Sequence, residues 1–197
     1  MSNLQGAPHA EERAAAETTV KWFDVTQDAP TLVVGMVKFE QGEDPMQWTE
    51  VWYCYPGLQR ASAQHPLTRF TLTETTPPGE PPACEYIDTH TVVETPPLGA
   101  AVAEPIASPL RIGQIDTGWF QLRATDMPPE LWGQIHVTPG SAPDETLETW
   151  QVSAAYQPLS ASTTYLSQDV VFEPNGPQPF QPDRIIHHVV VKTYPTT

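Results

Sequence analysis

The residues best suited to binding lie in two neighbouring segments, 118–124 and 131–137, that read as the strands of a hairpin. Apolar and polar side chains alternate in both segments, which is typical of strands with one solvated face. With residues 125–130 as the loop, the candidates pair across the two strands on the face away from the core. The three pairs are Trp119 with His136, Gln121 with Gln134, and Arg123 with Trp132.

Two indole rings beside amide, imidazole and guanidinium groups form a surface suited to a sugar ring or to the rim of a partner protein. Arg123 could stack on Trp132 across the hairpin. We therefore predict that this face is accessible and binds a partner. The alternative is that it packs against a second layer or under a proline-rich loop.

A second group of candidates combines histidine with carboxylates. Asp88 and His90 are two residues apart in a predicted strand, so they share one face and could hold a metal ion or orient an imidazole. The sequence offers no third ligand, which favours a surface Asp–His pair. His187 and His188 are adjacent and point to opposite faces, so they cannot chelate one ion together. No metal and no cofactor are predicted.

Motifs of catalysis and nucleotide binding are absent from the sequence. It contains no G-x-S-x-G elbow, G-x-G-x-x-G loop, Walker loop, H-E-x-x-H pair or EF-hand loop. The acidic turns at 40–44 and 144–145 are expected to be solvated rather than to bind calcium. The protein is predicted not to be an enzyme, and no residue is assigned a catalytic role.

The elements that must position these residues read as strands. Ten short segments rich in Val, Ile, Thr and aromatic residues are separated by prolines, as an antiparallel sheet requires. They are 21–25, 33–39, 47–55, 69–74, 85–93, 118–124, 131–137, 147–156, 165–172 and 185–194. The pattern predicts an all-β, mostly antiparallel sandwich of the jelly-roll or immunoglobulin-like kind, or an open barrel, with proline-rich loops. Segments 48–55 and 150–156 resemble each other but are too short to indicate a duplication.

Composition narrows the class of partner. The 197 residues carry a net charge of −15, from 24 acidic and 9 basic residues, and contain no basic run. Such a surface repels phosphate backbones and anionic lipids, which excludes nucleic acid and membrane surfaces as expected partners. No stretch approaches the ~20 apolar residues of a spanning helix. The remaining expectation is a protein partner, above all further copies of this chain, with a glycan as the alternative.

We predict an N-terminal arm over residues 1–19 and one β-sandwich domain over 20–197. Residues 9–17 have helical composition, enough for about two turns, but lack the apolar stripe of a helix that packs on its own domain. The first 16 residues contain no apolar core of a secretory signal, so synthesis in the cytoplasm is expected. Cys54 and Cys84 are expected to be reduced and buried, with an interstrand disulfide as the alternative.

Together these observations predict a non-enzymatic structural or interaction subunit of a larger assembly, such as a component of a virion, tail or appendage. The first alternative is a carbohydrate-binding or adhesion module that uses exposed tryptophans. The second is a small β-barrel enzyme or ligand carrier.

The arm generates a testable prediction. Deletion of residues 1–17 should leave the β-domain folded, with little change in circular dichroism or melting, because the helical stretch 9–17 has no Leu, Ile or Val to pack on it. The deletion should lower the native oligomer mass, because we expect the arm to dock on a neighbouring subunit. Native mass spectrometry at tens of micromolar measures this, and a truncated chain that keeps the full-length oligomeric state would exclude assembly through the arm.

Overall fold

The computed structural model of the protein describes residues 18–28, 31–56, 67–97, 111–112, 115–116, 118–124, 131–174 and 179–196. Within these ranges the chain is all-β and contains no helix. The strands are β1 (Thr19–Asp28), β2 (Thr31–Gln41), β3 (Gln47–Cys54), β4 (Leu67–Thr75), β5 (Tyr86–Thr95), β6 (Arg111–Ile112), β7 (Ile115–Asp116), β8 (Gly118–Ala124), β9 (Leu131–Pro139), β10 (Glu145–Val152), β11 (Tyr165–Pro174) and β12 (Arg184–Thr193).

Ten of these strands form one antiparallel sheet. Its order is β1-β2-β3-β5-β12-β10-β9-β8-β11-β4, and β4 also pairs with β1, so the order returns to its start as a barrel. Strands β6 and β7 pair only with each other. Each of the ten predicted segments coincides with one long strand, which confirms the prediction of an all-β antiparallel fold. Most of the predicted arm lies outside the described residues, and its last residue, Thr19, already belongs to β1.

The barrel consists of two five-stranded repeats with the same strand order. In the first repeat (residues 19–95) the order is β4-β1-β2-β3-β5, and in the second (residues 118–193) it is β11-β8-β9-β10-β12. Each edge strand pairs with its own counterpart, β5 with β12 and β4 with β11. Segments 48–55 and 150–156, too short by themselves to indicate a duplication, belong to these two repeats. Neither repeat closes a ring without the other.

The equivalence extends to individual residues. Trp22-Phe23 in β1 recur as Trp119-Phe120 in β8, and the ladders β1–β2 and β8–β9 change register at corresponding points. Several residues from β2 onward are identical in the two repeats at a spacing of 98, the separation of His90 from His188. They include Gly35 and Gly133, Gly42 and Gly140, Pro45 and Pro143, Glu50 and Glu148, Trp52 and Trp150, His90 and His188, and Val92 and Val190.

Backbone hydrogen bonds outside the ladders repeat at the same spacing, which rules out a chance likeness of strand order. Four backbone hydrogen bonds of the first repeat each have an equivalent in the second. Tyr55 donates to Val34 as Ser153 does to Trp132, and Gln47 donates to Asp44 as Glu145 does to Ala142. Glu94 donates to Met46 as Lys192 does to Asp144, and Glu85 donates to Cys54 as Asp183 does to Val152. Thr91 pairs with Val189, its own equivalent, so a pseudo-twofold axis passes through that point of the β5–β12 ladder.

Side chains alternate between the inside and the outside of the barrel, as the pleat requires. The walls formed by β1 and β2 and by β8 and β9 are lined by apolar side chains. Those buried in these strands include Phe23, Val25, Val37, Phe39, Phe120, Leu122 and Ile135. Trp48, Trp52 and Trp150 also belong to the core. Trp22 stacks on Tyr53 with ring centroids 5.7 Å apart.

The two cysteines are not joined in a disulfide. Cys54 is fully buried and its thiol donates to the carbonyl oxygen of Trp52, with sulfur and oxygen 3.6 Å apart. Cys84 is only half-buried, which corrects the expectation that both thiols are enclosed. Burial still raises the pKa of the Cys84 thiol. Among the residues that the structure describes, no helix has the length and apolar character needed to cross a membrane.

The contact of Gly133 with the neighbouring strand generates a prediction. A Cβ at this position would collide with the backbone carbonyl oxygen of Gln151 and lie 3.0 Å from the Cα of Val152. Because backbone atoms of a central strand cannot move aside, Gly133→Ala should lower the free energy of unfolding by about 1–3 kcal/mol, as overpacking does. Urea unfolding measures the change. Gly42→Ala is the control, since a Cβ there meets nothing within 4 Å. Equal effects of the two changes would contradict the close approach.

Candidate functional site

The predicted hairpin exists, and two of its three predicted pairs are confirmed. Strands β8 and β9 are antiparallel neighbours, with Trp119 opposite His136 and Gln121 opposite Gln134. The third pair is wrong. The register shifts between Leu122 and Arg123, which places Arg123 opposite Leu131 instead of Trp132. A bulge of this kind adds one residue to one strand and cannot be read from alternation alone.

The outer face of the hairpin is buried, which corrects the prediction that it is accessible. Trp119 is 7% exposed, Gln121 1% and Gln134 3%. His136 and Trp132 are half-buried. Because Phe120 and Leu122 fill the inner side, β8 is enclosed on both faces. The alternation of apolar and polar residues in β8 and β9 indicated which side chains point outward. It did not indicate that this outward face is covered. A binding role for these residues stays a prediction.

Trp119 and His136 form the tightest aromatic contact of this face. Their rings are parallel within 4° and their centroids lie 4.4 Å apart. Burial lowers the pKa of His136, since desolvation disfavours the imidazolium, so the ring is neutral at pH 7. Within the described part of the chain, the Nε atoms of Trp119, Trp132 and His136 are enclosed without a hydrogen-bond partner. Such groups call for a water or another acceptor.

A row of glutamines continues this face across three strands. Gln121, Gln134 and Gln151 lie side by side on β8, β9 and β10. The side-chain amide of Gln134 donates to the Oε1 of Gln151 at 2.7 Å. All three are buried. Sequence analysis missed Gln151, although the outward parity of β10 would have placed it beside Gln134.

The second group of candidates lies inside the barrel, on the wall formed by β3, β5, β12 and β10. Asp88 is 3% exposed and His90 1%, so the prediction of a surface Asp–His pair is wrong. His187 and His188 point to opposite faces as predicted, with His187 exposed and His188 buried. The Nδ1 atoms of His90 and His188 lie 3.1 Å apart, and their rings meet edge to face.

Each histidine has a glutamate directly opposite it on the next strand. Glu50 on β3 faces His90, and Glu148 on β10 faces His188. The four side chains form one row across four strands, which we call the Glu–His–His–Glu row. Carboxylates are rarely buried unless they are paired or accept strong hydrogen bonds, so the partners of these glutamates decide their state.

Tryptophan indoles supply those hydrogen bonds. Trp48 donates to Oε1 of Glu50 at 2.8 Å and Trp52 to Oε2 at 2.9 Å, so both carboxylate oxygens are bonded. In the second repeat, Trp150 donates to Oε2 of Glu148 at 2.8 Å. Hydrogen bonds from N–H groups favour the ionised carboxylate. The described residues contain no group of three ligands that could hold a metal ion.

The outer side of the same four strands carries far fewer charged side chains than the inner side. All four strands are described in full, and their outward-facing residues include one carboxylate, Glu145, and neither lysine nor arginine. We call this surface the four-strand face; its members are Thr49, Val51, Ile87, Thr89, Thr91, Val93, Leu147, Thr149, Ile185, His187, Val189 and Val191. Leu147 is 40% and Val189 37% exposed, and the two are paired across β10 and β12.

Comparison of the chain with protein-family models, with curated protein sequences and with solved structures finds no match. Functional inference for this protein therefore rests on its own geometry and on the comparison of its two repeats. The sequence signal that would have found the Glu–His–His–Glu row is the recurrence of Glu-x-Trp at 50–52 and 148–150 together with His90 and His188, all at a spacing of 98.

The burial of Trp119 leads to a prediction opposite to the one made from the sequence, in which the outer face of the hairpin is accessible. Trp119→Ala should lower the free energy of unfolding by about 3–5 kcal/mol, because it removes a buried indole and its stacking on His136. Chemical denaturation measures this. Tyr165→Ala is the control, since Tyr165 is 64% exposed and the change should stay within about 0.5 kcal/mol. A cost below about 1 kcal/mol at Trp119 would show that the ring is free on the surface.

Proposed function

We propose that this protein is a non-enzymatic interaction subunit that assembles with copies of itself through the four-strand face. The observation that carries the proposal is the distribution of charge over this wall. Its four central carboxylates, Glu50, Asp88, Glu94 and Glu148, point inward, while its outward residues are threonines and aliphatic side chains. A monomer usually has the reverse arrangement.

The net charge of the chain favours a second copy as the occupant of this face. Two chains of charge −15 repel each other through most of their surface, and the repulsion is weakest where carboxylates are absent. Exposed Val189 and Leu147 at the centre of the face gain from leaving water. The nearby ion pair of Lys38 with Glu40, 2.8 Å apart on β2, gives the face a polar rim.

The size of the face sets the expected strength of the contact. Four strands at about 4.8 Å spacing and about 26 Å in length cover roughly 500 Å². Two such faces bury on the order of 1,000 Å², the lower end of specific interfaces. We therefore expect association in the micromolar range for two chains alone, strengthened in an assembly where several contacts act together.

A second candidate function is a ligand carrier or enzyme built on the barrel interior. The Glu–His–His–Glu row favours it, because buried ionisable groups cluster at functional sites. The carbohydrate-binding alternative has less support, since it required exposed tryptophans and Trp119 is buried.

The proposal predicts that charge on the four-strand face prevents association. Val189→Asp and Leu147→Asp should each raise the dissociation constant of the complex at least tenfold, because each adds a negative charge to both copies at the centre of the contact. Sedimentation velocity at tens of micromolar measures this.

Leu32→Asp is the matched control, because Leu32 is an exposed strand residue outside this face, at 55% exposure. Thermal melting of all three variants separates lost association from lost folding. A full-length chain that is monomeric at tens of micromolar, or folded variants that associate as the wild type does, would overturn the proposal.

A further inference from the structure

The Glu–His–His–Glu row has a chemical property that self-association does not use. The Nδ1 atoms of His90 and His188 are 3.1 Å apart, which is a hydrogen-bond distance. Two imidazoles can share this contact only if one Nδ1 carries a hydrogen and the other is bare. The pairing of β5 with β12 therefore fixes the number of hydrogens that the two Nδ1 atoms can carry at one.

The first added proton fits this arrangement. It turns one ring into an imidazolium while the other remains a neutral acceptor, so the contact becomes a charge-assisted hydrogen bond. The carboxylates that face the pair, Glu50 from β3 and Glu148 from β10, stabilise the positive charge. Asp88, two residues before His90 on the same face of β5, lies directly opposite Lys192 on β12.

The second added proton does not fit. Both Nδ1 atoms would then carry hydrogens that point at each other, and two positive charges would lie about 3 Å apart in an enclosed site. His90 is 1% exposed and His188 8%, so little water is available to screen them. Trp52 and Trp150, which contact the two rings, leave little room for separation because the centroid distances are 6.4 and 5.2 Å.

In the part of the chain that the structure describes, other charged side chains on the inner side of the sheet lie toward the ends of the strands. Arg184 lies 3.8 Å from Glu94, and Lys192 sits over the ring of Tyr86 at 4.3 Å from its centroid. On the opposite side of the barrel Lys21 is bonded to Glu74 at 3.1 Å. Among the described residues, the carboxylates directly opposite the two histidines are Glu50 and Glu148, whereas Asp88 lies opposite Lys192.

Comparison of the two repeats supports a role for the row itself. Neighbouring inward positions differ between the repeats: Trp48 corresponds to Thr146 and Asp88 to Ile186. The glutamate, its indole donor and the histidine are the same in both. The retained residues meet across the ladder that the pseudo-twofold axis crosses.

We propose that His90 and His188 form a single-proton binding site at the centre of the barrel wall, which takes up one proton readily and resists a second. The histidine pair then has two protonation states that differ by one positive charge. This charge lies between the carboxylates of Glu50 and Glu148. The proton site does not depend on self-association through the four-strand face.

The test is a pH titration of the ¹⁵N-labelled full-length protein, read from the imidazole nitrogen resonances between pH 8.5 and 4.5. We expect His90 and His188 to titrate together in two steps separated by more than about one pH unit, as coupled sites do. In His188→Gln the remaining histidine should titrate in one step. His187→Gln is the matched control, because it removes the adjacent exposed histidine and should leave both steps in place.

Two results would overturn the inference. One is independent titration of the two wild-type rings with equal midpoints near the ordinary value of about 6.5. The other is the absence of any titration of either ring before the protein unfolds. Should His188→Gln fail to fold, His90→Gln serves as the single-histidine variant, and the wild-type titration alone decides whether the steps are separate.

Discussion

The pairing of β5 with β12 and of β4 with β11 is the constraint on which the rest of the structure depends. Each repeat is an open five-stranded sheet with two unpaired edges, and an unpaired edge exposes a row of backbone donors and acceptors. When each edge strand pairs with its counterpart in the other repeat, no edge stays unpaired and a barrel results. The duplication therefore explains how ten strands close without any strand left over.

The pairing of equivalent strands also explains how the two histidines come together on the wall formed by β5 and β12. Residues near the axis occur twice at short distance, so a single glutamate, tryptophan and histidine in the repeat unit produce two of each in one place. His90 and His188 reach 3.1 Å because they belong to the paired edges β5 and β12. The apolar walls formed by β1 with β2 and by β8 with β9 do not include the paired edges β5 and β12.

The polarity of that wall is inverted relative to a simple barrel. Carboxylates and imidazoles occupy the inside, where indoles donate to both oxygens of Glu50 and to Oε2 of half-buried Glu148. Threonines and aliphatic residues occupy the outside. Burying a charge costs free energy unless hydrogen bonds replace water, and the indoles meet that requirement. The same inversion links the two proposals, since the proposed proton site is on the inner side and the proposed contact between copies is on the outer side.

The sequence alone was sufficient to locate all ten long strands, because period-two alternation and proline breaks are local properties of the chain. It also placed Trp119 opposite His136 and put His187 and His188 on opposite faces, since strand geometry dictates both. The bulge beside Arg123 escaped detection, because one inserted residue leaves the alternation of each segment almost unchanged.

The burial of the hairpin's outer face and of Asp88 and His90 could not be read from the sequence either. Alternation distinguishes two faces of a strand, but only the closed sheet decides which face becomes the interior and which outward surfaces are covered. The duplication was hidden for a related reason, because its identical residues are scattered at a spacing of 98 and few neighbours match. Only the tertiary structure brought these scattered residues together at one ladder. Contacts between residues distant in sequence depend on strand order and register, which no local pattern determines.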